Sequence, residues 1–498
     1  MPKRRQLRIV TVAWLFGCVW FTVTASPLLT TYARALGCNE FAFGLINALP
    51  FAATVLTLPT SALIDATGQR KAFFLSGLYS QRCLWLVIAL LPLALFPRHA
   101  SVPELEAATP AIVTVFLLLY FVQQGGQGVG GPAWTYWMAE IVPTRIRGRY
   151  FAKRRQLGLL TAVPALLLVG FCLDHFTGGS VARGDATPEA RYRVVLWCSL
   201  LFLATAVAGI LDIVCFQFLP HTPRPSGSSG EHFLARLLVP LRQRQFVLFV
   251  SFVSAMFFSN GLLGQFLNRY VQETVLAERH WLGLNLMSQL MLQALPGVVT
   301  GLTFPVWGRA VDRMGKKPLL YVGACGFAPV AALWMLVTPG TWWLGFAVAT
   351  VTAVFWTGVE VTNLSLLLEM AAGDAEGDEG GSKGGGSSYG AINAALTAVA
   401  AFVGGIVGGI VAEALKDFSW TPVGGLKTFT RFDVLFALCA VVRIAAAVIV
   451  LPRLKEPDAA HPMEAARYMI ENLYASAGEL MRVPGKIVGR RREMNERR

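Results

Sequence analysis

The sequence predicts an all-α integral membrane protein with twelve transmembrane helices in two pseudo-symmetric six-helix bundles. Three observations carry this. Hydrophobic residues make up 55% of the 498 residues and charged residues only 14%, against about 25% charged in soluble domains. The mean hydropathy is +0.54. Apolar runs that match the roughly 20 residues a helix needs to cross a bilayer recur along the whole chain. The same composition excludes a soluble fold, a disordered chain and a disulfide-stapled secreted domain.

The runs fall at 9–34, 40–64, 72–96, 110–137, 157–173, 192–219, 246–271, 283–310, 318–338, 342–369, 389–414 and 432–452. Met1 to Arg8 is short and basic, and the run behind it is too long for a cleaved signal peptide. An even count returns the C-terminus to the side of the N-terminus. Loops on that side carry Arg70 and Lys71, the basic group Arg145, Arg147, Arg149, Lys153, Arg154 and Arg155, then Arg236, Arg242 and Arg244, then Arg313, Lys316 and Lys317. Opposite loops carry Glu104, Glu106, Glu273 and Glu278. The positive-inside rule then sets both termini in the cytoplasm.

The net charge of +14 sits in these loops and in the tail, not on a folded basic domain, so no nucleic-acid partner is expected. All cysteines but Cys38 lie in apolar runs, and no CxxC or Cys/His spacing occurs. Neither a disulfide framework nor a metal or cofactor site is expected. The domains read as a first bundle at 1–220, a cytoplasmic central loop at 221–245, a second bundle at 246–452 and a basic tail at 453–498. The central loop holds a Pro/Ser/Gly stretch from Pro223 to Gly230, and the loop at 371–388 is rich in Gly, Ser and acid; both compositions suit linkers. The tail has helical spacing at Met463, Ala466, Met469 and Leu473 and ends in arginines. Anionic lipid is its expected partner, with a solvated tail as the alternative.

The halves repeat one another. Ser61, Asp65, Gly68, Arg70 and Lys71 follow the second run; Gly308, Asp312, Gly315, Lys316 and Lys317 follow the eighth. Leu49-Pro50 parallels Leu295-Pro296, Glu140 parallels Glu369, and Tyr150 parallels Tyr389. An acid at a helix end can accept from a neighbouring helix N-terminus or pair with arginine, and a glycine permits the tight turn.

This duplicated loop, the twelve runs and the six-plus-six repeat resemble the major facilitator superfamily over nearly all of residues 9 to 452. The second loop copy fits the family motif; the first departs from it at Ser61 and Gln69. The segment Val142 to Phe151 resembles the loop after the fourth helix in many bacterial members. The resemblance implies two bundles working by alternating access around one central site, in a bacterial inner membrane. It also implies that helices one, four, seven and ten line the cavity, with contributions from two, five, eight and eleven, and that three, six, nine and twelve lie outside it.

Polar residues in the lining runs are therefore the candidate solute contacts: Gln123, Gln124, Gln127 and Trp134 in the fourth, Asn260, Gln265 and Asn268 in the seventh, and Trp356, Glu360 and Asn363 in the tenth. Amides and aromatic faces suit a polar organic ligand, and Glu360, an ionisable group within a span, is the candidate proton-coupling residue. The competing reading for each is a satisfied helix-to-helix contact. Arg82, Asp212 and Arg443 are expected in structural roles. Asp65, Gly68, Arg70, Glu140, Arg145, Arg147, Arg149, Gly308, Asp312, Gly315, Lys316 and Glu369 are the expected cytoplasmic gate. The overlapping GxxxG patterns at Gly404, Gly405, Gly408 and Gly409 read as close helix packing.

No P-loop, HExxH or G-x-S-x-G pattern occurs, so enzymatic ATP, protease or lipase chemistry is not expected. The expected function is secondary active transport of a small polar organic solute by a monomer. An amphiphile exporter or lipid flippase on the same scaffold is one alternative, and a receptor or scaffold without transport is another.

Overall fold

The computed structural model describes residues 3–96, 101–143, 146–177, 187–220, 239–277, 283–377, 385–422, 427–454 and 461–473. Among them are twelve helices long and apolar enough to cross a membrane. Spans 1 to 6 are Lys3–Thr24, Glu40–Ile64, Arg70–Leu90, Val102–Thr135, Lys153–Thr177 and Pro188–Gln217. Spans 7 to 12 are Arg244–Val275, Leu284–Met314, Lys316–Leu336, Leu344–Leu367, Tyr389–Ala414 and Arg431–Arg453. The first apolar run is broken into two helices, as are the second, between Thr54 and Thr57, and the ninth, after Phe327. Ser26 breaks the first, its hydroxyl accepting from the Leu28 N–H at 3.2 Å, and Pro27 opens a second helix, Pro27–Leu36. Proline suits that first helical position, where its missing N–H has no partner to lose.

The buried apolar clusters show how the halves meet. The largest contains Leu29, Tyr32 and Phe43 from the first half and Phe266, Tyr270, Met287 and Phe436 from the second. All these residues lie toward the end of the bundle opposite the repeated loops, called here the far end. At the motif end the buried clusters separate. One, around Phe74, Trp137 and Phe216, draws its buried members from the first half alone. Another, around Phe246, Tyr389 and Leu451, draws them from the second.

Glycines bring the halves into backbone contact. A Cβ on Gly44 of span 2 would sit 2.5 Å from the Gly409 Cα and 2.7 Å from the Gly405 carbonyl oxygen of span 11. The other two glycines of the pattern, Gly404 and Gly408, face Phe258 and Leu262 of span 7 instead. The overlapping small-residue motifs thus serve two neighbours on two faces of one helix, which is the use lipid-embedded helices make of small residues.

The repeated loops share a positive-φ glycine but not the same turn, ψ being 4° at Gly68 and 168° at Gly315. Gly68 has φ 68° and Gly315 φ 88°, conformations that side-chain-bearing residues rarely adopt. Lys71 Nζ donates to the Gln217 and Leu219 carbonyls at 2.7 Å each, capping the end of span 6 with a cation. Lys316 Nζ lies 2.6 Å from Glu369. The tail departs from expectation. Residues 462–473 form a helix whose Ala465 and Met469 are buried against Val306, Trp307 and Leu319 of spans 8 and 9, with the Arg313 guanidinium 5.3 Å from the Tyr468 ring. One side of this helix is thus covered by spans 8 and 9, while Met463 and Ile470 stay exposed. Residues 474–498 lie outside the described residues.

Gly44→Val forces apart backbones already in contact and is expected to lower stability by the roughly 1–3 kcal/mol of an overpacked site. Gly308→Ala, where a Cβ meets nothing within 4 Å, should be neutral or gain up to about 1 kcal/mol from helix propensity. Thermal unfolding followed by tryptophan fluorescence in detergent checks both.

Candidate functional site

A cavity of about 600 Å³ lies within the first half, walled by residues of spans 1 to 6 together with Ala394 of span 11. That volume is within the usual range for small-molecule sites. Three charged side chains line it: Arg82, Arg154 and Asp212.

Arg82 of span 3 and Asp212 of span 6 form an ion pair at 3.7 Å, their side chains 7% and 9% exposed. The Arg82 guanidinium also lies 3.5 Å from the centre of the Trp20 ring. Two glycines make the room. A Cβ on Gly17 would overlap the Asp212 carboxylate, and one on Gly209 would come within 2.5 Å of the Trp20 ring and 2.9 Å of Arg82 Cδ. Pairing and the indole face offset the cost of holding two charges away from water. Arg82 Nε is nonetheless without a hydrogen-bond partner among the described residues.

Arg154, at the start of span 5, is held between indoles: its guanidinium carbon is 4.2 Å from the Trp14 ring and 5.2 Å from the Trp134 ring. It is 9% exposed, and its Nε too lacks a partner among the described residues. Arg154 also lines a second recess, of about 430 Å³, whose wall includes Arg8, Tyr150 and Lys153. Tyr150 is fixed there by donating to the Leu7 carbonyl at 3.0 Å.

Of the residues the sequence singled out, Gln124, Gln127 and Trp134 are on the cavity wall. Gln123 is buried beside them, its Oε1 unbonded. The seventh-span residues go elsewhere. Asn260 accepts from Arg443 Nη2 at 2.9 Å, and Arg443 further donates to Ser259 and lies 3.9 Å from the Phe327 ring. Trp356 packs against Phe257 and Phe327. Glu360 is exposed and is not on this cavity's wall; Asn363 is half-buried with an unbonded Oδ1. The implied exclusion of helices three and six needs correcting: Arg82 and Asp212 are both wall residues, because small neighbours on spans 1 and 6 let them reach inward.

Gln265 and Asn268 belong to a network that ties the halves at the far end. Thr30 donates to Gln265 Oε1, Asn268 Nδ2 donates to Thr30 at 3.1 Å, and Gln272 donates to Thr31 at 3.2 Å. Span 7 kinks at Gly264, and the next N–H, that of Gln265, is taken by Asn47 Oδ1 of span 2 at 2.7 Å. Asp174 of span 5 accepts the Asn285 and Leu286 N–H groups at the start of span 8, at 2.9 and 2.8 Å. Around this lies an ion cluster. Arg269 meets Glu40 at 2.5 Å and Glu273 at 2.7 Å, Arg431 meets Glu40 at 3.1 Å, and Arg34 meets Glu273 at 3.4 Å.

The expected gate is at the other end. Of it, Lys316 pairs with Glu369, a contact within the second half. Asp65, Glu140, Arg145, Arg147 and Arg149 lie outside the described residues, in side chain or altogether. Sequence reasoning missed the far-end cluster because its members sit at helix ends, where charge is ordinary. It missed Arg154 because a basic residue beside a loop reads as topology.

Arg82→Met and Asp212→Asn each strand a buried partner, and each is expected to cost about 3–5 kcal/mol. The double variant should be more stable than the sum of the single losses, so a double-mutant cycle in detergent should read a coupling well above the ~0–1 kcal/mol of a surface pair.

Comparison with known proteins agrees with this architecture. Residues 9–378 match the family model of the Major Facilitator Superfamily. A glucose transport protein of Synechocystis is 24% identical over 259 residues, covering 46% of this chain and 53% of the relative, so the match spans about half that protein's length. Among solved structures, the nucleoside transporter NupG superposes with TM-score 0.62 at 14% identity, over 91% of this chain and 100% of that one. A D-xylose-proton symporter gives 0.61 at 15%, over 89% and 96%. The E. coli fucose:proton symporter gives 0.55 at 15%, over 90% and 99%. The chain belongs to the major facilitator superfamily, a family of membrane transporters rather than enzymes.

Proposed function

We propose that this chain is a secondary active transporter of a small polar organic solute, working by alternating access between its two six-helix halves. The observation that carries the reading is the uneven seam. The halves share buried apolar packing, hydrogen bonds and ion pairs at the far end, while their buried clusters stay separate at the motif end. A cavity whose mainly apolar wall carries Arg82, Arg154, Asp212, Gln124 and Gln127 lies on the separated side. This is the arrangement of a transporter closed on one face, and the glucose, nucleoside and sugar:proton relatives are consistent with a polar cargo.

In this reading Gln124 and Gln127 bond the solute and Trp134 supplies a flat face. The Glu40–Arg269–Glu273–Arg431 cluster is the closed gate. The repeated loops, with Asp65, Gly68, Arg70, Glu140, Arg145, Arg147, Arg149, Gly308, Asp312, Gly315, Lys316 and Glu369, close the motif end when the far end opens. By the distribution of basic loops the motif end is cytoplasmic, in the bacterial inner membrane. Proton coupling falls to Asp212 rather than Glu360, because Asp212 is the buried carboxylate on the wall and a proton on it would free Arg82.

Uptake of radiolabelled sugars, nucleosides and organic acids into proteoliposomes tests this. At least one solute should accumulate under an inward proton gradient. Gln127→Ala should raise KM about tenfold, the loss of one or two hydrogen bonds. Asp212→Asn should abolish gradient-driven accumulation while solute exchange persists, and Glu360→Gln should retain both. Accumulation lost in Glu360→Gln and kept in Asp212→Asn would return the coupling role to Glu360.

A further inference from the structure

We propose that the solute taken by the first-half cavity is an organic anion, its carboxylate or phosphate group held by Arg154. The inference rests on the transport reading above and names its substrate class.

The charges on the wall do not cancel. Asp212 is 3.7 Å from Arg82 and answers that guanidinium. Arg154 takes part in no ion pair among the described residues, although it is nine-tenths buried. Its guanidinium carbon lies over the Trp14 ring at 4.2 Å and over the Trp134 ring at 5.2 Å. An indole ring attracts the cation but supplies no oxygen acceptor for the N–H groups on the guanidinium edge. A carboxylate or a phosphate is the acceptor whose geometry matches that edge, through two parallel charge-assisted hydrogen bonds.

The approach is cationic as well. Arg154 lines both the cavity and the smaller recess, and the exposed Arg8 and Lys153 stand on the recess wall. Across the two linings four cations face one carboxylate. Low-dielectric walls of one sign focus the field and raise the local concentration of the opposite ion. A neutral sugar or nucleoside needs amides and hydroxyls, which Gln124, Gln127 and Thr135 provide; it does not need a second buried guanidinium beside the Arg82–Asp212 pair. The amides would bind the body of the solute and Arg154 its charge.

A cysteine in place of Thr135, an exposed residue of the cavity wall, measures the charge directly in the full-length protein in detergent. Thr135→Cys is labelled with sulfonatoethyl (anionic) and trimethylammonioethyl (cationic) methanethiosulfonate. Site-specific rates are read by mass spectrometry and normalised to those of 2-mercaptoethanol. The anionic reagent should be favoured about tenfold or more. Arg154→Gln should lower the ratio several-fold, leaving the smaller preference set by Arg8 and Lys153, and Arg154→Lys, which keeps the charge, should preserve it. A ratio at or below unity with Arg154 intact overturns the inference. In a second arm glucose, gluconate and glucose 6-phosphate compete with labelling at equal concentration. Protection by gluconate alone assigns a carboxylate, and protection by glucose 6-phosphate alone a phosphate ester. Equal protection by glucose overturns the anion assignment and leaves the transport reading standing, which the proteoliposome uptake tests independently.

Discussion

The seam between the halves is drawn together where backbone meets backbone, above all at Gly44 in span 2 against Gly405 and Gly409 in span 11, and likewise at Gly170 in span 5 against Leu286 in span 8. At Gly44, with no side chain on either surface, the two backbones touch, and span 2 comes within reach of span 7 as well. Asn47, one turn along from Gly44, then reaches the N–H that the kink at Gly264 releases. In an apolar solvent a freed backbone donor must find such an acceptor, because no water is present to supply one. At the start of the same span, Glu40 is carried to Arg269 and Arg431. Packing, backbone repair and ion pairing are thus gathered along span 2 at the far end.

The other end is packed differently. At the motif end the buried side chains pack within their own bundle, around Phe74 and Trp137 on one side and Phe246 and Tyr389 on the other, with Leu58 and Arg155 reaching across. The cavity lies among the first group. Its wall contains three buried charges, Arg82, Asp212 and Arg154, each backed by an indole or a counter-ion. Breaking a buried pair is costly, while exchanging one partner for another of equal charge is not.

The second half holds its own buried cation differently. Arg443 is met by Ser259, Asn260 and the face of Phe327, neutral groups that leave no opening toward the cavity described here. The contrast explains why one deep arginine sits on a wall and another is only part of the packing, although both look alike in an apolar run.

The sequence by itself determined the twelve spans, the two halves, the repeated loops and the close packing of the glycine-rich eleventh span. These follow from hydropathy, charge placement and small-residue spacing, which act over a few turns of one helix. It also marked Gln124, Gln127 and Trp134 as cavity residues, since amides within a span are conspicuous. Only the tertiary structure decided that Arg82 faces Asp212, that Arg154 turns inward between Trp14 and Trp134, and that Gln265 and Asn268 bond Thr30 rather than line the cavity. It also decided that the helix at 462–473 lies against spans 8 and 9. Each of these depends on the rotation and register of helices distant in sequence, and periodicity within one helix carries no information about where its partner's face is turned.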